Sequence, residues 1–308
     1  MAKWLKAHAL DLLLGCVLLF GVGLLLYPTV SDWWNSMHQS QAIATYQKAV
    51  QDNSAARNKE LWDAAVAYNE SLPHDDSRFR MSAAQTRRYD STLDVTGTGI
   101  MGYVQIPKIS VSLPIYHGTD SAILQIAIGH IPGSSLPVGG LGTHCVISGH
   151  RGLPSARLFT DIDQLREGDL FMINVLGKTL TYQVDQIRVV LPDKLDDLAI
   201  DDGLDLCTLV TCTPYGVNTH RLLVRGHRVP NRTAALAAGD TSLVSPVLVA
   251  AVVTVVVAAV LALAWLVRGR RASRGVPGAP SAVEAPTPTA APAGEKDDGS
   301  TAGKGAQR

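Results

Sequence analysis

A mainly β barrel, preceded by a helical hairpin and flanked by two membrane-spanning helices, is the architecture this sequence predicts. Three observations carry it. From Gly99 to Pro230 short β-type runs alternate with Gly and Pro punctuation. Residues 36–91 instead set apolar side chains at three- and four-residue steps, the period of a helix face. Two long apolar blocks bracket both regions.

The first block, Ala9 to Tyr27, carries one charge, Asp11; the second, Leu243 to Val267, carries none. At about 1.5 Å per residue the second is roughly 37 Å long, enough to cross a hydrocarbon core of about 30 Å. Lys3 and Lys6 precede the first block, and Arg268, Arg270, Arg271 and Arg274 follow the second, so both termini are expected in the cytoplasm and the middle outside. Residues 1–8 are then a cytoplasmic N-terminus and 9–27 a signal-anchor helix. A cleaved signal peptide is the rival, disfavoured because Tyr27-Pro-Thr-Val-Ser-Asp32 lacks a small-x-small site.

Residues 28–94 read as an extracytoplasmic helical and lid region: Ile43, Tyr46 and Val50, then Leu61, Ala65, Tyr68 and Leu72, fit a hairpin packed on the main domain. Residues 95–230 form that domain, with strands expected over 102–106, 111–116, 143–148, 169–175, 178–190, 204–211 and 220–229 and a short helix over 121–128. So many short strands in some 130 residues suggest a closed or nearly closed barrel. A linker (231–242) leads to the second span (243–267). Beyond it, 268–308 is expected to be a disordered cytoplasmic tail, since 20 of the last 37 residues are Ala, Gly or Pro.

The 308 residues carry 27 basic and 27 acidic side chains and a mean hydropathy of +0.13. That average is high for an ordinary soluble enzyme, and the excess lies in the two blocks, so the lipid bilayer is one expected partner. No nucleic-acid partner, cofactor or metal is expected.

The chemistry concentrates at Thr208-Leu-Val-Thr-Cys-Thr-Pro-Tyr-Gly-Val-Asn-Thr-His-Arg221. A thiol at a strand end, followed by a turn and a second strand, can meet Arg221 on one face. Sixty-two residues upstream of Cys212, Thr143-His-Cys-Val-Ile-Ser-Gly-His-Arg-Gly152 ends a β-type run near His150. A thiol is a useful nucleophile when an imidazole or a positive field favours its thiolate. Arg221 stays charged, so it cannot be a base, but its forked donors suit a carbonyl or a developing oxyanion. Cys212, His150 and Arg221 are the catalytic candidates; Thr211 and Thr213, on either side of the thiol, are candidates for contacts to substrate or oxyanion.

These segments resemble a known family. Gly102-Tyr-Val-Gln-Ile-Pro-Lys-Ile109, Leu113-Pro-Ile-Tyr-His-Gly118, Ser135-Leu-Pro-Val-Gly-Gly140, Ser148-Gly-His-Arg-Gly-Leu-Pro-Ser155 and Thr211-Cys-Thr-Pro-Tyr-Gly216 look like a sortase, and within sortases like the pilin-assembling class C. The likeness runs from about Tyr27 to Arg228. It implies an eight-stranded sortase barrel, with His150, Cys212 and Arg221 in the family's catalytic positions. It also implies cleavage of a Leu-Pro-X-Thr-Gly-like sorting signal through a cysteine acyl-enzyme, and transfer to an amine. The implied partners are sorting-signal-bearing surface or pilin proteins and an acceptor amine, on a pilin lysine or on peptidoglycan. A cell-wall-anchoring sortase and a non-catalytic membrane-anchored scaffold are the alternatives. The chain has no Leu-Pro-X-Thr-Gly of its own before the second apolar block, which favours an enzyme over a cargo.

One departure stands out. Class C enzymes usually carry an Asp-Pro-aromatic lid, and the corresponding text is Leu72-Pro-His-Asp-Asp-Ser-Arg-Phe79. Asp76 and Phe79 are the nearest stand-ins, with Asp76 then expected near Arg221 and Phe79 near Cys212.

Other residues have blander readings. His117, His130 and His144 are expected to be buried and structural. A metal site from His144, Cys145 and His150 lacks any Cys-x-x-Cys or His-x-x-x-His pair. The resemblance sets Cys145 and Cys207 on neighbouring parallel strands, where disulfide geometry is poor, so two free thiols are expected. Arg151, Arg225 and Arg228 compete with Arg221, and Arg225 shares its strand face.

Overall fold

The computed structural model describes residues 2–231 and two isolated helical positions, Val256 and Val260. The linker beyond Asn231, the second apolar block and the Ala/Gly/Pro-rich tail otherwise lie outside the described residues. The chain divides into two units, Met1–Val253 and Thr254–Arg308, and the barrel with its helices belongs to the first.

Helix α1 (Ala2–Asp52) merges the first apolar block with the first half of the expected hairpin. It passes through Pro28 without ending, although proline removes one backbone bond and ordinarily kinks a helix. Among the described residues it is the one helix long and apolar enough to cross a membrane. Its C-terminal half docks through Gln39, Ile43, Tyr46 and Val50, which are buried at helical spacing. Tyr46 is the anchor: its hydroxyl donates to Met101 O (3.0 Å) and accepts from Leu176 N–H (2.9 Å), and burial pushes its pKa up to about 12. Helix α2 (Ala55–Glu70) returns after a two-residue break, its N-cap Ser54 accepting from Arg57 N–H. A 3-10 turn, Asp76–Phe79, and helix α3 (Ala83–Ser91), opened by a Ser82/Gln85 capping box, complete the region.

The strands are β1 (Ile100–Ile106), β2 (Val111–His117), β3 (Ile128–His130), β4 (Thr143–Ser148), β5 (Leu170–Val175), β6 (Lys178–Val190), β7 (Asp205–Thr213) and β8 (His220–Val229). They close into a barrel in the order β1-β2-β3-β4-β7-β8-β6-β5. Only β2–β3 and β4–β7 pair in parallel. Two details differ from expectation. The 121–128 helix shrinks to α4 (Ser121–Leu124), and Ile128 opens β3, a strand too short to show a period of two. The strand expected to stop at 211 continues to Thr213, which puts Cys212 inside β7.

Inward-facing Val104, Ile106, Ile115, Ile147, Phe171, Ile173, Tyr182, Leu209 and Val224 fill the barrel. Each such side chain contributes on the order of 1.5–3 kcal/mol on burial. Along β7 the outward face is buried too, because the β6–β7 connection (191–204) covers part of it. Val146, Leu198, Val210 and Leu223 form a second apolar cluster there, against which Phe79, Ile131, Val190 and Leu195 pack.

Candidate active site

The site is assembled from two strand registers. Parallel β4 and β7 keep a constant offset, from Thr143 against Asp205 to Ser148 against Val210. The ladder continues past β4, since Gly149 N–H donates to Val210 O (3.0 Å) and Gly149 O accepts from the Thr211 hydroxyl (2.7 Å). His150 is the next residue of the chain after this continuation. On the other side, antiparallel β8 pairs Cys212 with Arg221. Directly opposed residues share a face with Cα atoms about 4.5–5.5 Å apart. Cys212 and Arg221 thus share the outward face of the β7–β8 ladder, at the end of the barrel where β4 gives way to the segment that opens with Gly149 and His150.

Local packing holds the loops in place. A Cβ at Gly149 would lie 2.7 Å from the Phe159 ring and 2.8 Å from Ile128, so only glycine lets the chain pass there. The β4–β5 connection then folds back, Phe159 N–H donating to His150 O (3.1 Å). Arg151 pairs with Asp163, reaches the Thr213 hydroxyl (3.5 Å) and lies 5.9 Å over the Tyr215 ring. The loop after His150 and the loop after Cys212 therefore clamp each other.

Charge separates the arginines. Arg225 is bidentate to Asp185 (3.0 and 3.2 Å), Arg228 lies 3.9 Å from Asp205, and Arg151 holds Asp163. Arg221 has no carboxylate partner among the described residues; its guanidinium donates to the backbone oxygens of Asn218 (3.2 Å) and His220 (3.1 Å). These are exchangeable contacts at the rim of the site, which leave the cation available to an incoming oxygen.

Cys212 is half-buried, whereas Cys145 and Cys207 are buried register partners; all are free thiols. Burial pushes the Cys207 thiol well up, so it stays protonated and inert. Thr211 is buried with its hydroxyl committed to Gly149 O, which makes it a support for the His150 segment. Thr213 is half-buried and meets Arg151. His117, His130 and His144 are buried and hydrogen-bonded. His144 donates through Nδ1 to Ala199 O (2.7 Å) and accepts at Nε2 from the Thr208 hydroxyl (2.7 Å). Burial holds its pKa down at about 4. His144 and Cys145 are consecutive strand residues on opposite faces, so they do not converge with His150 on a common point.

The lid candidates separate. Asp76 is exposed and makes no ion pair with Arg221 among the described residues. Phe79 packs in the outward cluster with Val210, two residues before Cys212 on the same face. Between them lies a residue that sequence reading passed over. Arg78 is buried, donates through Nη2 to Leu198 O, and leaves Nε and Nη1 without a hydrogen-bond partner. Its guanidinium sits 4.6 Å over the Phe79 ring, and burial lowers its pKa. A Cβ at Gly133 would come within 2.3 Å of Arg78 O, so glycine is what admits this turn to the groove. Nothing in the local text marks an arginine for burial.

The chain is similar to known proteins. The family description "Sortase domain" matches residues 104–229. The solved sortase C1 of Streptococcus agalactiae is 52% identical, covering 62% of this chain and 99% of its own, with a TM-score of 0.58. Sortase C of Streptococcus pneumoniae, described in connection with catalysis and pilin substrate specificity, is 41% identical over 62% of this chain and 97% of its own, with a TM-score of 0.55. Sortase D of Bacillus subtilis is 27% identical over 181 residues, 58% of this chain and 87% of that one. Likeness that spans nearly the whole of solved sortase C chains, around a cysteine set opposite an arginine, leads to one conclusion: this chain belongs to the sortase family and is a cysteine transpeptidase of class C.

Proposed function

We propose that Cys212, His150 and Arg221 carry out the transpeptidation, and that the enzyme joins pilin subunits at the outer face of a membrane in which α1 is anchored. The Cys212 thiolate attacks the carbonyl carbon of the threonine in a Leu-Pro-X-Thr-Gly-like sorting signal. Arg221 donates to the oxyanion that forms, a contribution of about 2.7–4 kcal/mol for one such donor in related acyl-transfer chemistry. As the C–N bond breaks, the departing glycine amine takes a proton from His150, leaving a thioester. A second amine, a lysine of the next pilin subunit, attacks that thioester and passes a proton to the now neutral His150, and the C–S bond breaks to regenerate the Cys212 thiolate beside a protonated His150.

The observation that carries this reading is the register of β7 and β8, which opposes the half-buried thiol to the arginine that lacks a carboxylate partner. Two spans with both termini in the cytoplasm would hold the barrel outside, as the flanking Lys and Arg residues imply. The test is a single-turnover reaction with a Leu-Pro-X-Thr-Gly peptide, followed by a chase with a pilin-derived lysine peptide, a peptidoglycan-type amine, or buffer alone. Release of the acyl group to the lysine peptide supports pilin assembly. Preferential release to the peptidoglycan amine supports wall anchoring, and absence of any acyl-enzyme refutes turnover.

A further inference from the structure

The direction in which α1 leaves the barrel bears on how the active site meets its surroundings. Three side chains of α1 bond backbone groups at the end of the barrel where β4 and β7 finish. Asp32 accepts from Arg157 N–H (2.7 Å), Asn35 donates to Ser155 O (2.7 Å) and Gln39 donates to Ile126 O (2.6 Å). Residues 155 and 157 belong to the loop that begins at His150, and Ile126 lies just before β3, which runs antiparallel to β4 and so starts at that same end. Farther along, Tyr46 bonds Met101 and Leu176, and Val50 lies 3.8 Å from the Cβ position of Gly177, in the turn that opens β6. Because β6 runs with β4 and β7, that turn is at the opposite end. The helix therefore runs from the Cys212 end towards the far end, and in the reverse direction it leaves past the active site.

The docked face ends near Asp32, and the apolar run ends at Tyr27, five residues or about 8 Å of helix away. Beyond that point Phe20, Leu24 and Leu25 are exposed, as a lipid-facing surface requires. Exposed Trp33 and Trp34 stand just past the apolar run, at the level where aromatic rings settle in headgroups. Ile126, Tyr215 and Val217 add exposed apolar area at the same end of the barrel.

We propose that the Cys212 end of the barrel faces the lipid headgroups at close range, with α1 as the strut that holds it there. The partner of this surface is the bilayer itself. This orientation rests on the reading of α1 as a membrane anchor.

The test uses the full-length chain in lipid vesicles, with Cys16→Ala and Cys212→Ala. The remaining thiols, Cys145 and Cys207, are buried, so a fluorophore attaches at Ile126→Cys or, in a second protein, at Leu141→Cys. Ile126 is 50% and Leu141 78% exposed, and Leu141 precedes β4 at the far end. Energy transfer to acceptor-labelled headgroups should be stronger from position 126, with a difference in distance of about 20 Å, the run of a six-residue strand. Equal transfer, or stronger transfer from position 141, overturns the orientation. Flotation of the same samples separates the two ideas. Protein that does not float with the vesicles refutes the anchor and the orientation together; protein that floats with the distances reversed refutes the orientation alone.

Discussion

Cys212 and Arg221 stand directly opposite each other in the β7–β8 ladder. The six residues between the strands, 214–219, turn the chain so that a sequence separation of nine becomes a cross-strand pair. Both residues therefore sit on strands, the kind of rigid element that holds a catalytic group to the required tolerance.

Cys212→Ala should abolish acyl-enzyme formation with a Leu-Pro-X-Thr-Gly peptide. The other thiols of the barrel, Cys145 and Cys207, are buried away from Arg221. Mass spectrometry of the trapped intermediate checks this: an acyl group on either buried cysteine would contradict the assignment.

The arginines should separate by phenotype. Arg221→Ala should lower turnover by about two to three orders of magnitude, the loss seen when one oxyanion donor is removed. Arg225→Ala, which breaks the pair with Asp185, should leave turnover close to wild type and cost about 1 kcal/mol of stability. Steady-state kinetics together with denaturant midpoints decide the matter, and equal losses of activity in two well-folded variants would remove the distinction.

Two substitutions in the Asp76–Phe79 turn should act in opposite directions. Phe79→Ala deletes a contact in the outward cluster with Val210 and Leu198, loosens the turn, and should speed modification of Cys212 by a small thiol reagent. Arg78→Met keeps the volume of the buried side chain and removes two donors that lack partners. Each buried unsatisfied donor costs about 1–3 kcal/mol, more than the single bond to Leu198 returns. The closed turn should therefore tighten and thiol modification should slow. Rates unchanged in both folded variants would show that this turn does not gate the groove.

Acid should loosen the wall of the groove through His144. Its folded pKa of about 4 lies below its ordinary value of 6.5, so the unfolded chain takes up the proton first. The stability contributed by the neutral ring is complete above that ordinary value and is lost as pH falls through the window towards 4. The loss amounts to about 2 kcal/mol by pH 5. His144→Gln, which can still bond Ala199 and Thr208 but does not titrate, should flatten the dependence of Tm on pH between 7 and 5. An unchanged slope in that variant would assign the effect to other groups.

Local pattern was enough to read the first apolar run, the docked face of α1, seven of the eight strands and the short spacing between Cys212 and Arg221. Each of these depends on residues close in sequence, whose periodicity or turn chemistry is written in the text. The closure into eight strands came by resemblance, because β3 is three residues long and has no period to detect. Tertiary structure alone fixed the offset between β4 and β7, since the pairing of two parallel strands 62 residues apart depends on how β5 and β6 wrap the barrel between them. It also decided that Arg78 is buried and that α1 leaves the barrel at the end where Cys212 lies. Burial and direction are properties of surfaces brought together by the closed fold, and neither the charge of Arg78 nor the hydropathy of α1 contains them.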